Sequence, residues 1–512
     1  MDNLSPPSAQ EQDLYYDGLP SHPRLVARSS IEPWQSIHGP DRHPVTNLRR
    51  RKAFLPPSRH DVMRLWNVKD APLRRDIKHQ LQHLSWNAIE LFRVGFEDEQ
   101  DPHGWKLTLM VSVMPESATT WSVAAQAAVA CKAVLESYNI FDIHCEIRES
   151  SILLLASEPA DNLKVRGIDH LPSQDPRSLD GHRSPYLGTS IASLSNPAIG
   201  ATKGLYLRIS EHGQEHQATV ALTCRHLLET TLSTNVEIRG GPDVIQPCQR
   251  TLEAYIANQQ DQINYIDSLN SKQRASADYQ KMKYDAESRL RAASLLKYPE
   301  SRKIGRVHYA PPIALRQSSH HDSWLADWLL VQLDPAHQED ALSDLTNDIV
   351  LENHSGQKRL QRVLAQMKVQ PEAPRFFDNK LYKLQLAGTV TERELRNPPH
   401  SELNDDAVLF VGKVGARSGL TFGLGSTMAS VVRYPLKGMT LESLEWPVHH
   451  VKGDPNFSAP GDSGSIVWTV DGRIVGMVTG GCGVRSMDIT YVTPIERLLA
   501  DVRSRGFNVE II

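Results

Sequence analysis

The sequence predicts a mostly β protein, with a helical hairpin inserted between its strands and a small α/β domain in front of them. Three observations predict this class. Many short apolar segments in residues 186–512 are bounded by Gly, Pro, Asn or Asp, as in sandwiches and barrels. Residues 250–297 contain no Pro or Gly and carry apolar residues at helical spacing. Residues 61–160 mix strand-like and helix-like patterns.

Length and composition indicate a globular chain with more than one core. The chain has 512 residues, and single cores seldom exceed about 250–300 residues. Apolar residues make up 40% and charged residues 23%, which is typical of globular proteins. The net charge of -4 gives no reason to expect a nucleic-acid or anionic-membrane partner. We therefore expect neither.

The cysteines and the N-terminus favour an intracellular location. Five cysteines are few and odd in number, which argues against a secreted disulfide framework. The first residues do not resemble a signal peptide, and no apolar segment is long enough for a membrane helix. We expect a cytoplasmic protein. A basic run at residues 49–52 leaves the nucleus as an alternative location, against the simpler reading of a solvated loop.

The N-terminal third divides into three predicted segments. Residues 1–60 lack apolar periodicity and are expected to form an irregular leader. Residues 61–160 are predicted to form the α/β domain, with strands at 86–94, 106–114 and 140–147 and a helix at 122–138. Residues 161–185 are polar and rich in turn residues, so we expect an exposed linker where proteolysis or self-processing would cut.

The remaining chain, 186–512, is predicted to be one β-rich domain. Its strands are expected near residues 205–209, 217–222, 328–333, 407–414, 465–470 and 473–479. The helical insert, about 249–298, carries two apolar stripes. Two short helices packed on each other are favoured over a long-range coiled coil.

The clearest chemical motif surrounds Ser463. The string Gly461-Asp462-Ser463-Gly464-Ser465 places a serine in a glycine-flanked turn, which lets the amides of Gly461 and Ser463 converge where an oxyanion would form. A plain turn is the alternative. The string Gly-Asp-Ser-Gly alone would arise by chance in about one chain in a hundred of this length.

A serine hydroxyl needs a base to act as a nucleophile, and that base is usually a histidine oriented by a carboxylate. His226 ends a strand-like segment, and Asp327 directly precedes an apolar one. Taken singly, each is better explained as a structural residue. In the order His226, Asp327, Ser463, they form the set that serine peptidases use.

Residues 186–505 resemble a trypsin-like serine peptidase of the chymotrypsin fold, most closely the intracellular ones predicted in fungi. The resemblance rests on the strings Gly188-Thr189-Ser190-Ile191, Leu222-Thr223-Cys224-Arg225-His226, Ala326-Asp327-Trp328-Leu329-Leu330, Val411-Gly412-Lys413-Val414-Gly415, Gly461-Asp462-Ser463-Gly464-Ser465 and Tyr491-Val492-Thr493-Pro494-Ile495. It implies a double six-stranded β-barrel. The segment ending in Glu146-Ile147-Arg148-Glu149-Ser150 resembles the domain that precedes the peptidase in those proteins.

The resemblance also implies a role for each matching residue. Ser463 would be the nucleophile, His226 the general base and then acid, and Asp327 the orienting acid, with Gly461 and Ser463 forming the oxyanion hole. The residues implied to bind substrate are Phe457, Thr479, Gly480 and Gly481. Phe457 matches the base of the specificity pocket, so an apolar substrate residue is preferred. Protein or peptide substrates and no cofactor are expected.

The sequence departs from this family in the spacing of the triad and in the expected partner of Asp462. There are 101 residues from His226 to Asp327, mostly because of the helical insert. In secreted relatives the residue matching Asp462 pairs with a new N-terminal amine, but no activation site is evident here, so an internal cation is the expected partner.

Three other readings compete with the peptidase. A catalytically silent scaffold would bind protein partners through the N-terminal domain or the helical insert. A lipase would place its acid and histidine after the serine, whereas His226 and Asp327 both precede Ser463. The pairs His320-His321 and His449-His450 lack further ligands at zinc spacing, so no metal site is predicted.

Overall fold

The structure, a computed structural model, describes most of the chain. The described residues are 4–34, 50–57, 60–99, 104–154, 184–214, 216–228, 234–317, 322–337, 341–350, 360–365, 383–398, 402–403, 406–436, 439–451, 456–483 and 486–512.

The N-terminal part combines strands and helices. Its strands are β1 (Leu25–Arg28), β2 (Lys52–Leu55), β3 (Trp86–Phe96), β4 (Lys106–Val113), β5 (His144–Glu149) and β6 (Ser151–Leu154). Its helices are α1 (Ala9–Leu14), α2 (Val62–Trp66), α3 (Pro72–Gln80) and α4 (Trp121–Ser137), with a 3-10 turn at Pro115–Ser117. The parallel strands β4 and β5 are joined through α4, and the predicted helix and first two strands agree with α4, β3 and β4.

The middle of the chain is β-rich with inserted helices. Its strands are β7 (Ser190–Ser193), β8 (Asn196–Thr202), β9 (Tyr206–Glu211), β10 (Ala218–Thr223), β11 (Ile238–Arg239), β12 (Asp243–Ile245), β13 (Lys303–Ala310), β14 (Ala314–Arg316), β15 (Trp324–Ala326), β16 (Leu329–Leu333), β17 (Asp348–Val350) and β18 (Lys383–Gln385). Its helices are α5 (Gln249–Ser268), α6 (Ser271–Arg274) and α7 (Ala277–Ser294), with 3-10 turns at Arg225–Leu227, Pro299–Arg302, Pro335–His337 and Leu342–Asp344.

The C-terminal part is also mostly strands. They are β19 (Glu402–Leu403), β20 (Asp406–Ala407), β21 (Leu409–Gly415), β22 (Gly419–Gly425), β23 (Ser430–Leu436), β24 (Met439–His450), β25 (Ile466–Thr469), β26 (Ile474–Gly483), β27 (Ile489–Pro494) and β28 (Phe507–Ile511). The helices α8 (Glu392–Arg396) and α9 (Ile495–Ser504) accompany them.

Two large sheets organise these strands. The nine-stranded sheet has the order β28-β9-β10-β16-β13-β12-β7-β8, with β11 on β13. The thirteen-stranded sheet has the order β1-β5-β4-β3-β23-β24-β22-β21-β25-β26-β27, with β2 on β3 and β6 on β26. Because β24 also pairs with β27, six strands of the larger sheet form a closed ring.

The mostly β prediction agrees with this architecture, whereas the double barrel stays a prediction. The described pairings close one six-stranded ring, and the order of the nine-stranded sheet is open. One apolar core joins the two sheets, since Leu222 of β10 and Leu330 of β16 share it with Phe422 of β22 and Trp468 of β25. The site residues lie on connections that leave this core.

The expected irregular leader is wrong for part of its length. Residues 1–60 contain α1, β1 and β2; β1 pairs with β5 and β2 pairs with β3. These segments are too short to show periodicity, and they gain order from strands that lie far along the chain. The remaining domain boundaries stay predictions, and residues 161–183 of the predicted linker lie outside the described residues.

The N-terminal sheet continues into the C-terminal sheet without a break. Val431 and Val432 of β23 pair with Ile89 and Ala88 of β3, so the predicted α/β domain is not isolated from the strands that follow. Buried polar contacts reinforce this connection. Arg148 of β5 donates to Asp488 at 2.8 Å, and the two side chains are fully buried.

The helical hairpin lies where the sequence predicts it. Helices α5 and α7 pack on each other, with Leu252, Tyr255 and Ala293 buried between them. The second predicted stripe is only partly buried, because Met282 is 46% exposed. Among the described residues, no helix is both long and apolar enough to cross a membrane.

Candidate functional site

Ser463 lies on a tight loop that leads into β25. Gly461 and Gly464 have φ angles of 109° and 90°, a region that favours glycine. A Cβ on Gly464 would also lie 2.2 Å from the Thr202 carbonyl oxygen. Thr202, the last residue of β8, donates its amide to the Ser463 carbonyl at 2.7 Å and its hydroxyl to the Gly461 carbonyl at 3.0 Å. Thr202, which lies outside the loop, therefore holds the loop in this conformation.

His226 and Asp327 come from neighbouring strands of the nine-stranded sheet. His226 lies on the 3-10 turn after β10, and Asp327 lies between β15 and β16. Since β10 pairs with β16, the ends of the two strands are adjacent. The His226 amide donates to Asp327 Oδ1 at 2.9 Å, which fixes the carboxylate against the turn.

The imidazole of His226 joins the carboxylate to the serine. Its Nδ1 is hydrogen-bonded to Asp327 Oδ2, and its Nε2 lies 2.9 Å from Ser463 Oγ. His226 is 7% exposed, and Asp327 and Ser463 are fully buried. Burial alone would lower the pKa of His226, but the adjacent Asp327 carboxylate outweighs burial and raises that pKa above its usual range.

A second buried carboxyl lies near Asp327. The pKa of Glu445 is raised to about 7, mainly by burial and in part by the negative charge of Asp327, against the opposing effects of Ser443, Arg497 and the Leu325 amide. One oxygen of Glu445 accepts the Leu325 amide at 3.2 Å. The charge of Asp327 therefore acts on Glu445 as well as on His226.

Asp462 anchors the serine loop through a fully buried ion pair. Its partner is Lys413 of β21, whose Nζ lies 3.1 Å from Asp462 Oδ2. The same carboxylate accepts the amides of Arg417 at 2.8 Å, Ser418 at 3.1 Å and Ala459 at 2.9 Å. Burial alone would raise the pKa of Asp462, but Lys413 and the hydrogen bonds from Arg417 and Ser418 lower it. Lys413 is thus the internal cation that the sequence led us to expect.

The residues predicted to bind substrate lie in different places. Thr479, on β26, accepts a hydrogen bond from Ser463 Oγ at 3.3 Å through its carbonyl. Gly480 and Gly481 continue that strand and pair with Leu154 and Leu153 of β6. Phe457 is 2% exposed and belongs to a buried apolar cluster with residues of β21, β24, β25, β26 and β27. The structure therefore brings Thr479 to the serine and places Phe457 in the core.

The histidine pairs show no metal-binding arrangement in the described part of the chain. His320 and His321 lie outside the described residues. The ring of His449 is buried beside Phe92, with centroids 4.5 Å apart, and burial lowers its pKa to about 3. No group of three or more His, Cys, Asp or Glu side chains in the described residues could hold a metal ion.

Sequence reasoning missed Lys413, Thr202 and Glu445 as residues that support the site. The sequence could have indicated Lys413, because a single charge inside an apolar strand needs a buried partner of opposite charge. Asp462 was an acid for which no cation had been assigned. Thr202 contributes through its backbone and hydroxyl, for which the sequence gives no signal. Glu445 reaches the site through the amide of Leu325, which lies 120 residues away in the sequence.

Comparisons with known proteins give structural neighbours only. No protein-family model matches the sequence, and no curated protein matches it significantly. Protease A of Thermobifida fusca is 13% identical, covers 64% of this chain and 98% of its own, and has a TM-score of 0.31. The active form of the Rv3671c protease of M. tuberculosis is 8% identical, covers 60% and 84%, and has a TM-score of 0.22. Scores this low carry no argument about this chain.

Proposed function

We propose that this chain is a serine endopeptidase of the chymotrypsin type, which hydrolyses peptide bonds through an acyl-enzyme. The observation that carries the proposal is the hydrogen bonding of His226, whose two ring nitrogens contact Asp327 and Ser463. A histidine placed between a buried carboxylate and a serine hydroxyl is the arrangement that activates a serine nucleophile.

In the proposed mechanism, Ser463 Oγ attacks the substrate carbonyl as His226 Nε2 takes its proton. Asp327 holds the Nδ1–H tautomer and stabilises the imidazolium that forms. His226 then returns the proton to the leaving amine, and water hydrolyses the acyl-enzyme by the same steps. The amides of Gly461 and Ser463 would bind the developing oxyanion. The Lys413–Asp462 pair and Thr202 hold that loop in position.

The proposed substrate is a protein or peptide bound in extended form. Thr479, Gly480 and Gly481 lie on an edge of β26 to which an extended backbone can pair. The buried Phe457 would contribute only as the closed inner end of the proposed specificity pocket, where its ring would favour an apolar substrate residue. No cofactor is required by this chemistry.

Labelling with a fluorophosphonate probe tests the proposal. The native chain is expected to form a covalent adduct at Ser463, because the probe captures only an activated serine. Ser463→Ala should not be labelled, whereas Ser465→Ala, two residues away, is the matched control and should retain labelling. Equal labelling of the native chain and Ser463→Ala would remove Ser463 as the nucleophile.

The pH dependence of hydrolysis is a further prediction. His226 must be neutral to accept the serine proton, and Asp327 raises its pKa. Activity is therefore absent at low pH and should rise with pH, with its midpoint above about 6.5, the usual histidine value. Measuring kcat/KM between about pH 5 and 10 checks this. A profile already at its maximum at about pH 6 would contradict the assigned base.

The rival proposal is a catalytically silent scaffold that binds protein partners through the N-terminal domain or the helical insert. One observation favours a binding role for the insert, since Tyr265, Met282 and Tyr284 are exposed on the hairpin. Failure of the native chain to label, together with a partner captured by the hairpin, would favour the scaffold. For the peptidase we propose a cytoplasmic location, with the nucleus as the alternative, and self-processing within residues 161–185.

A further inference from the structure

Strand β6 occupies the edge of β26 next to the serine. Its four residues pair antiparallel with β26, so that Ser151 lies opposite Gly483, Ile152 opposite Cys482, Leu153 opposite Gly481 and Leu154 opposite Gly480. The strand runs in the direction of Thr479, whose carbonyl oxygen contacts Ser463 Oγ. An extended segment of this chain therefore approaches the proposed nucleophile along β26.

The start of β6 is held firmly. Ser150, the residue before it, donates its amide to the Val113 carbonyl at 2.9 Å, and its hydroxyl lies 3.0 Å from Cys482 Sγ. Two residues earlier, Arg148 forms its buried ion pair with Asp488. These contacts fix the start of the segment to β4, to β26 and to Asp488, so pairing with β26 costs little additional chain entropy.

The side chains of β6 alternate between the core and solvent. Ile152 is 5% exposed and belongs to a buried cluster with Tyr434 and Tyr491, against which Leu154 also packs. Leu153, on the opposite face, is 38% exposed. Gly480 permits this close approach, since a Cβ there would lie 2.9 Å from the Leu153 carbonyl oxygen. The edge of β26 therefore accepts an extended segment with apolar side chains at alternate positions.

We infer that β6 is an intramolecular competitor that fills the substrate-binding edge of the proposed peptidase. This inference rests on the proposed function. A segment tethered in place has an effective concentration on the order of millimolar, so a free peptide that binds weakly must displace it. Long peptide substrates should therefore gain little from the residues that would pair with Gly480 and Gly481, and substrates that avoid this edge should be unaffected.

The first test compares two substrates on the native chain. The shorter substrate has one residue before the scissile bond, chosen as the residue that gives the fastest hydrolysis. The longer substrate has the same residue with Ser-Ile-Leu added before it. The expected gain in kcat/KM from the three added residues is less than about threefold, because β6 holds their place. A gain of about a hundredfold or more would mean that the edge is free and would overturn the inference.

The second test uses a pair of proline variants, Leu153→Pro and Leu154→Pro. Successive amides of a strand point to opposite edges, so one of the two prolines removes a hydrogen-bond donor to β26 and the other does not. Each variant is thus the matched control for the other. One of them should raise kcat/KM for the long substrate at least tenfold, and only that variant should regain the length-dependent gain.

The outcomes of the second test are separable from failure of the peptidase proposal. Fluorophosphonate labelling of the native chain and both variants reports whether Ser463 is an activated nucleophile. If labelling occurs and both variants hydrolyse the long substrate at equal rates, β6 is not a competitor. If no chain is labelled, the peptidase proposal fails. Variants that do not fold leave the inference to be decided by the substrate-length comparison on the native chain.

Discussion

Replacing Asp327 with asparagine is expected to lower kcat/KM by about 10⁴, as the same change does in serine peptidases. Asparagine fills the same space, and its oxygen can still accept the His226 amide, as Asp327 Oδ1 does at 2.9 Å. Its amide group, however, would donate to His226 Nδ1. The proton of the ring would then lie on Nε2, which faces Ser463, and the ring could no longer accept the serine proton.

Asp322→Asn and Asp334→Asn are the matched controls, and each should change kcat/KM by less than about tenfold, or about 1.4 kcal/mol. Asp334 accepts the Ala336 amide at 3.0 Å and has no contact with His226 in the structure. Asp322 is paired with the buried Arg74. Asp322→Asn should therefore alter the free energy of unfolding more than turnover.

The decisive measurement is kcat/KM on one peptide substrate for the three variants, with circular dichroism to verify folding. An Asp327→Asn protein that is folded and fully active would show that the acid is misassigned. If Asp327→Asn loses activity and also unfolds, kcat/KM is measured at a lower temperature, where the folded fraction is restored.

Local patterns predicted the elements that carry the site. His226 follows strand β10, and Asp327 precedes strand β16. Both strands were expected from short apolar segments with turn residues at their ends. The loop around Ser463 was expected from its glycines, and their positive φ angles favour glycine at these positions. The helical insert was equally evident, because a long segment that lacks Pro and Gly and carries apolar residues at helical spacing is typical of helices.

Long-range pairing could not be predicted in the same way. Strand β6 is four residues long, and its partner on β26 lies more than 300 residues further along the chain. The continuity of β3 with β23 is similarly remote. Such pairings depend on which edges meet in the folded chain, and a single sequence records neither the edges nor their register. For the same reason β1 and β2 were mistaken for irregular segments.

Replacing Lys413 with methionine is expected to disable the site through the serine loop. Methionine matches the length of lysine but leaves the fully buried Asp462 without its cation. Losing one member of a buried pair costs about 3–5 kcal/mol of unfolding free energy. Without Lys413 the carboxyl also tends to take up a proton, because burial raises its pKa, and it then holds the amides of Arg417, Ser418 and Ala459 less well.

The kinetic consequence follows from the position of Asp462 between Gly461 and Ser463. If the loop shifts, the two amides proposed to form the oxyanion hole leave their positions, and loss of one such donor costs about 10²–10³ in turnover. Lys78→Met is the matched control, since Lys78 pairs with Glu442 at 2.7 Å but both side chains are about one-third exposed. An exposed pair contributes about 0–1 kcal/mol, so this variant should retain its stability and activity.

A double substitution separates the charge from the shape of the buried pair. Lys413→Met combined with Asp462→Asn removes both charges, and replacing a buried pair as a whole is often neutral for stability. Unfolding by urea should therefore show recovery of most of the lost free energy. Turnover should recover less, because an asparagine oxygen accepts fewer of the three amides than the two oxygens of a carboxylate. If Lys413→Met behaves like Lys78→Met in both measurements, the buried pair does not hold the serine loop.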